Sequence, residues 1–290
     1  MGIEHKNAVK QSTEYINLSK FVRASDYERY LAAGFSSSSL RRELIYLIAF
    51  NKEILQIPDK VTESMIGRIR LQWWRESLFE RKQVARTGNE ILDGINFLRN
   101  KYDIGDDIFE NIIKHAESDL EGFTPNSMSD VINHSTLSGG ALNESIANIL
   151  APNLPKIAIL ANQYGTAWSL TKSMIDLPYL GIRAKSYLPL DHIHREGLTG
   201  KNIFDKVNSN KLSVIINSII NEAINFLPPT DGISNQDLNR AKPVFLLRTI
   251  TLYYINKLRS NNYDPCELTL SSNRVNLLLK LGLASLFSKY

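Results

Sequence analysis

The sequence is poor in cysteine: Cys266 stands alone, which excludes a disulfide framework and any cysteine-built zinc or iron–sulfur centre. A reducing compartment is expected. Long apolar runs are also missing, for the greasiest stretch, Leu212 to Leu227, is interrupted by Asn217, Asn221, Glu222 and Asn225. Such a segment cannot cross about 30 Å of hydrocarbon, and no transmembrane helix is expected. Near the start, Glu4, Lys6, Lys10, Gln11, Glu14 and Asn17 lie among few apolar side chains, so no secretory leader is expected there. Lys6 stands where a Met-Gly myristoylation start requires Ser or Thr.

Charge of one sign is scarce. The 34 lysines and arginines against 30 acids leave a net +4 that is spread along the chain rather than gathered in a block. This suits an anionic ligand or a membrane surface and gives no reason to expect a nucleic-acid partner. The chain has neither a Gly-rich loop followed by Lys-Ser/Thr nor a Gly-x-Ser-x-Gly turn, which removes the common nucleotide and hydrolase readings. No repeat or low-complexity linker divides it, and 43% hydrophobic against 22% charged residues can bury a large core.

What is present is helical periodicity, while alternation over a strand's length is hard to find. The spacing predicts an all-α protein. Leu40, Leu44, Leu47, Ile48, Ile54 and Leu55 share one face after the cap-forming run Ser36 to Ser39, and Pro58 ends or kinks that helix. A second helix follows Thr62, with Ile66, Ile69 and Trp73 as its buried stripe, core packing for Trp73-Trp74, and Arg70 and Glu76 as anchors to neighbours. A third opens on Asp106 and Asp107. Ser138-Gly139-Gly140 reads as a turn rather than a phosphate cradle, and a short helix runs from Ala141 to Leu150. Lys156 to Asp176 reads as one long helix, closed by Pro178 and Gly181, before a loop carrying Arg183, Lys185, Tyr187 and Pro189. Further helices are expected at 192–207, 211–227, 236–260 and 272–288. His192 and His194, two residues apart, point to different sides of a helix and are not expected to share a metal.

Three blocks carry a resemblance: Asp26-Tyr27-Glu28-Arg29-Tyr30-Leu31, then Arg41 to Glu53, then Gly67 through Trp73-Trp74 to Glu76. With Tyr164-Gly165-Thr166-Ala167 and Arg183 to Asp191 following in order, the chain resembles the squalene/phytoene synthase family over about residues 24 to 260. The resemblance implies a single-domain, all-α isoprenoid synthase fold at 24–290, after an N-terminal extension of residues 1–23, with helices around a mostly apolar cavity for prenyl chains. Active members condense prenyl diphosphates head to head. They do so with two acidic motifs that hold Mg²⁺, which neutralises the leaving diphosphate.

Here those motifs are eroded. At the first, the chain reads Leu55-Gln56-Ile57-Pro58-Asp59, and only Asp59 remains acidic. At the second, the matching positions are Ser169, Lys172, Ile175, Asp176 and Leu180, and only Asp176 survives. Glu53, one helical turn before Ile57, is out of register but offers a third carboxylate. No confident catalytic residue and no resident metal or other cofactor is expected, with Mg²⁺ required only if Asp59, Asp176 and Glu53 form an unusual site in a working prenyltransferase.

Ala49-Phe50-Asn51-x-Glu53 and Leu177-Pro178-Tyr179-Leu180-Gly181-x-Arg183 resemble more closely a degenerate branch of the family that includes an assembly factor for respiratory complex I. That resemblance implies a non-catalytic role with complex I subunits or assembly intermediates as partners. A prenyl diphosphate or lipid is the alternative ligand, held by Lys172, Arg183, Lys185 and Tyr187. The expected location is cytoplasmic, with peripheral contact at the inner membrane.

Overall fold

A computed structural model describes residues 15–79, 87–182, 185–200, 202–267 and 274–290. Among these residues every regular element is helical. Helix α1, over 15–25, buries Leu18 and Val22 in the common core, so the fold begins before residue 24. Asp26 caps α2 (Tyr27–Ala33) by accepting from the Arg29 amide. The next helix, α3 (Ser38–Leu55), buries the expected Leu44, Leu47, Ile48 and Ile54 but also Phe50 and Asn51, and its cap residue Ser37 makes no side-chain cap bond. Pro58 then sits in the first turn of the short α4 (Ile57–Lys60), where its missing N–H costs nothing.

Helix α5 (Ser64–Phe79) turns a different stripe inward than its periodicity suggested. Ile66 and Ile69 are 40% and 62% exposed, while Gly67, Leu71, Trp74 and Leu78 are buried. Both stripes satisfy a 3.6-residue repeat, and the choice is made by the partner. Past α6 (Glu90–Lys101) runs α7 (Asp106–Leu120), whose Leu120 lies against Gly67 so closely that a Cβ there would fall 2.6 Å from a Leu120 methyl. Arg75 locks the pair by forked hydrogen bonds to Glu110 (2.9 and 3.0 Å) and Glu117 (2.8 and 2.9 Å). The helix anchor is therefore Arg75; Arg70 is exposed, and Glu76 accepts from Gln72 on its own helix at 3.0 Å.

From α8 (Met128–Ser135) the backbone passes through a buried π turn, Thr136–Gly140, straight into α9 (Ala141–Leu150). Ser138-Gly139-Gly140 is thus a wide helical turn, and its small residues serve a crossing. The long α10 (Pro155–Ile175) packs against this turn, against α9, and against α13 (Ser209–Asn225) and α15 (Lys242–Ser260). Beyond α10 come α11 (Leu177–Ile182) and α12 (Leu190–Arg195), while α14 (Asn235–Arg240) and α16 (Arg274–Phe287) complete the helices. The helix expected at 192–207 stops at Arg195 because Gly197 takes φ 66, a left-handed conformation that closes helices. That expected at 236–260 divides at Ala241, with Pro243 in the first turn of its second part. No described helix is long and apolar enough to cross a membrane.

The crossing of α10 over the π turn has no slack. A Cβ on Gly165 would lie 2.0 Å from the Gly139 carbonyl oxygen, and one on Gly139 would lie 2.4 Å from that of Gly165. Both neighbours are backbone and cannot rotate away. Gly165→Ala is expected to destabilise the protein by about 1–3 kcal/mol in urea titration, although alanine is the better helix former. An unchanged midpoint would show that the helices can separate without cost.

Candidate functional site

A cleft of about 200 Å³ opens where helices α2, α3, α7, α8 and α10 converge. Its wall has an unusual number of charges for an interior site. Asp26 and Arg29 come from the start of α2, Asn51 and Lys52 from α3, Asp59 from α4, and Lys172 and Asp176 from the end of α10. Trp168, Val131, Leu55 and Leu180 supply apolar lining. Polar and apolar surface share this opening about equally, and Phe50, Phe109, Tyr164 and Trp168 are buried among the helices.

The two surviving motif acids both line the cleft, and each meets a lysine. Lys185 Nζ donates to Asp59 Oδ1 at 2.7 Å, across a separation of 126 residues. Lys172, one helical turn before Asp176, donates to both of its carboxylate oxygens. Glu53 is not brought to this place. It pairs with Lys60 at 3.5 Å and borders a separate groove with Ile69, Arg70 and Trp73. Three of the expected binding residues, Lys172, Lys185 and Tyr187, line the cleft, whereas Arg183 lies outside the described residues.

Deeper in the wall is a second charged group. Asp26 is held by Arg29 at 2.9 Å and Lys52 at 3.6 Å. Burial opposes its ionisation, yet the Lys52 and Arg29 charges outweigh burial and hold its carboxyl below the ordinary aspartate range. Arg29 Nε and Nη2 are buried with no hydrogen-bond partner among the described residues, as is Asn51 Oδ1. A buried guanidinium edge left without acceptors can take up an anion.

The third group was missed in the sequence. His115 and Asp119 project from one face of α7, four residues apart, and His134 reaches them from the end of α8. Only the i, i+4 spacing of His115 and Asp119 was visible, and it is indistinguishable from an ordinary helical pair. His192 and His194, which drew notice for their proximity in sequence, are surface residues, His192 beside Asp191.

In this cluster Tyr187 donates its hydroxyl to Asp119 Oδ2 at 2.6 Å. His115 Nδ1 lies 2.8 Å from the His134 carbonyl, which can only accept, so Nδ1 carries the proton and Nε2 of a neutral ring carries a lone pair. Burial, with His134 close by, lowers the His115 pKa to about 4. Burial works against ionised Asp119 too, but the His134 and His115 rings and the Tyr187 hydroxyl outweigh it and set the carboxyl at about 2. Burial and the adjacent Asp119 charge push Tyr187 far up.

The fold defines an isoprenoid synthase architecture, and Asp59 and Asp176 in its cleft are each paired with a lysine. The squalene/phytoene synthase family model matches residues 22–279, and the chain belongs to that family. Among solved structures, a dehydrosqualene synthase with ligand superimposes with a TM-score of 0.78 at 14% identity, covering 97% of this chain and 99% of the other. The squalene synthase HpnC from Alicyclobacillus acidocaldarius gives 0.71 at 14% identity, over 89% and 97% of the two chains. Among curated proteins, the chain is similar to NADH dehydrogenase (ubiquinone) complex I, assembly factor 6, from Mus musculus, at 22% identity over 93% of this chain and 81% of that protein. The Homo sapiens protein of the same name is 21% identical over 92% and 80%.

His115 makes stability depend on pH with a definite sign. Its folded pKa is about 4 against 6.5 for the free side chain, so between these values the unfolded chain binds the extra proton. Stability should therefore fall as pH drops from 6.5 towards 4, with a slope approaching about 1.4 kcal/mol per unit. Urea midpoints taken across this window with EDTA present should show that slope in the wild type and a flatter one in His115→Gln. Equal slopes would exclude His115 as the source.

Proposed function

We propose that the protein is a non-catalytic member of the squalene/phytoene synthase family that acts in the assembly of respiratory complex I, NADH:ubiquinone oxidoreductase. The observation that carries this reading is the pairing of Asp59 with Lys185 and of Asp176 with Lys172. Ionisation of a prenyl diphosphate needs clustered carboxylates that gather dications around the leaving group. Here each remaining carboxylate faces an ammonium group instead, and Glu53 is turned away. The site lacks the accumulated negative charge that would hold hard dications.

Size supports the same reading. A cleft of about 200 Å³ is smaller than the roughly 300–1,000 Å³ usual for pockets that enclose drug-sized ligands, and two prenyl diphosphates need far more. The relatives named as complex I assembly factors match over most of their length, which supports an assembly role for this chain.

A binding partner also has surfaces to use. Met65, Ile66 and Ile69 on α5, and Leu279, Leu283, Leu286 and Phe287 on α16, are large exposed apolar side chains. They suit contact with an assembly intermediate or the face of the inner membrane. Within the cleft, the unpartnered Arg29 donors favour an anionic head group, including that of a prenyl lipid, as a bound ligand.

Removing the protein from its host is expected to lower assembled complex I on native gels. Both the wild type and an Asp59→Asn, Asp176→Asn double variant should restore it. Purified protein given farnesyl diphosphate and Mg²⁺ should release no pyrophosphate above background. Failure of the double variant to rescue, together with pyrophosphate release by the wild type alone, would establish an enzyme instead.

A further inference from the structure

We propose that His115, Asp119 and His134 form a binding site for one divalent first-row transition-metal ion, open to the cleft. The site differs in place and chemistry from the family's two acidic motifs: it lies on α7 and α8, and its donors are two imidazoles and one carboxylate. It goes beyond the assembly role and would stand whether or not complex I is the partner.

Geometry carries the argument. One ligand atom from each of the three side chains lies within 4.8 Å of the other two. His134 Nε2 is 3.0 Å from Asp119 Oδ1, and His115 Nε2 is 3.9 Å from Asp119 Oδ2. Two ligands on one metal, each about 2.0–2.2 Å from it, sit roughly 3 Å apart or a little more, so small side-chain rotations suffice.

The protonation pattern leaves room for a cation. Because His115 Nδ1 donates to a carbonyl, its Nε2 lone pair faces the Asp119 carboxylate, so that two acceptors point at each other 3.9 Å apart. Asp119 Oδ1 and His134 Nε2 lie 3.0 Å apart, and neither buried atom has a partner other than the other one among the described residues. The side chains of His115, Asp119 and His134 are only 9%, 8% and 5% exposed. A metal ion shared by the three side chains would give Asp119 Oδ1 and His134 Nε2, both buried, a common partner.

The surrounding contacts are those that prepare ligands. A metal-binding histidine commonly donates its other N–H to a backbone carbonyl, as His115 does, and a ligating carboxylate is commonly held by a hydrogen bond, as Tyr187 holds Asp119. Phe123 stacks on His134 with ring centroids 4.0 Å apart and fixes its plane. All three donors also border the cleft, which provides an entry path and leaves positions for water or a ligand. Two imidazoles with a single carboxylate select Zn²⁺, Fe²⁺ or Co²⁺ over Mg²⁺, which prefers a shell of oxygens.

The test is a titration of metal-free, untagged protein with Co²⁺, followed by absorption spectroscopy, and a competition with Zn²⁺. One equivalent of Co²⁺ should bind, produce visible ligand-field bands, raise the thermal midpoint, and be displaced by Zn²⁺ but not by excess Mg²⁺. His115→Gln and His134→Gln should each weaken binding at least a hundredfold. Tyr187→Phe should weaken it about 10–100-fold. Asp59→Asn and Asp176→Asn should leave it unchanged. Absence of stoichiometric binding by folded wild-type protein overturns the proposal, as does binding that survives both histidine changes or is lost with Asp59 and Asp176. The wild-type spectrum decides even if a histidine variant does not fold. No prenyl substrate or complex I enters the measurement, so its failure leaves the assembly role standing, and failure of the assembly role leaves the metal site standing.

Discussion

Everything around the cleft depends on how closely α10 can lie on the π turn between α8 and α9. Gly139 and Gly165 remove the side chains that would hold the two backbones apart, and each carbonyl occupies the space the other's Cβ would need. With that approach made, Asn143 donates to the Ala161 carbonyl at 2.7 Å, and Thr166 meets Thr136 at 3.2 Å. The same approach carries Trp168, Ser169 and Lys172 to one wall of the cleft and His134 and Ser138 to another. A wider crossing would separate the residues whose mutual charges define the site.

Within that frame, charges of both signs are interleaved along the cleft. Carboxylate clusters that attract dications need an excess of negative charge in one place. Here Lys172 and Lys185 each neutralise one of the remaining motif acids, and Asp26 is shared by Arg29 and Lys52. The same cleft places two imidazoles beside a buried carboxylate, a donor set suited to a different kind of cation. One scaffold can carry different chemistries, because function resides in the side chains that line the site.

Part of this was legible from the residues. Helical spacing, Pro58, and the close of the long helix near Asp176 foretold the main helices, and the motif comparison singled out Asp59, Asp176 and Lys172, all of which line the cleft. Other features misled for physical reasons. Helix α5 carries two apolar stripes of equal period, so Ile66 and Ile69 were as credible a buried face as Leu71 and Trp74 until α7 and the Arg75 fork settled it. Glu53 lies close to Asp59 in sequence but turns to Lys60, since its position on α3 faces another groove.

By itself the sequence determined that the chain is helical and which acids and bases stand at positions 59, 172, 176 and 185. These are properties of spacing and of side-chain chemistry, written locally along the chain. Only the tertiary structure decided that Lys185 crosses to Asp59, that two Arg29 donors have no partner among the described residues, and that His134 joins His115 and Asp119. Such pairings depend on the relative placement of helices, which interior packing and the Gly139–Gly165 crossing set and no local pattern records.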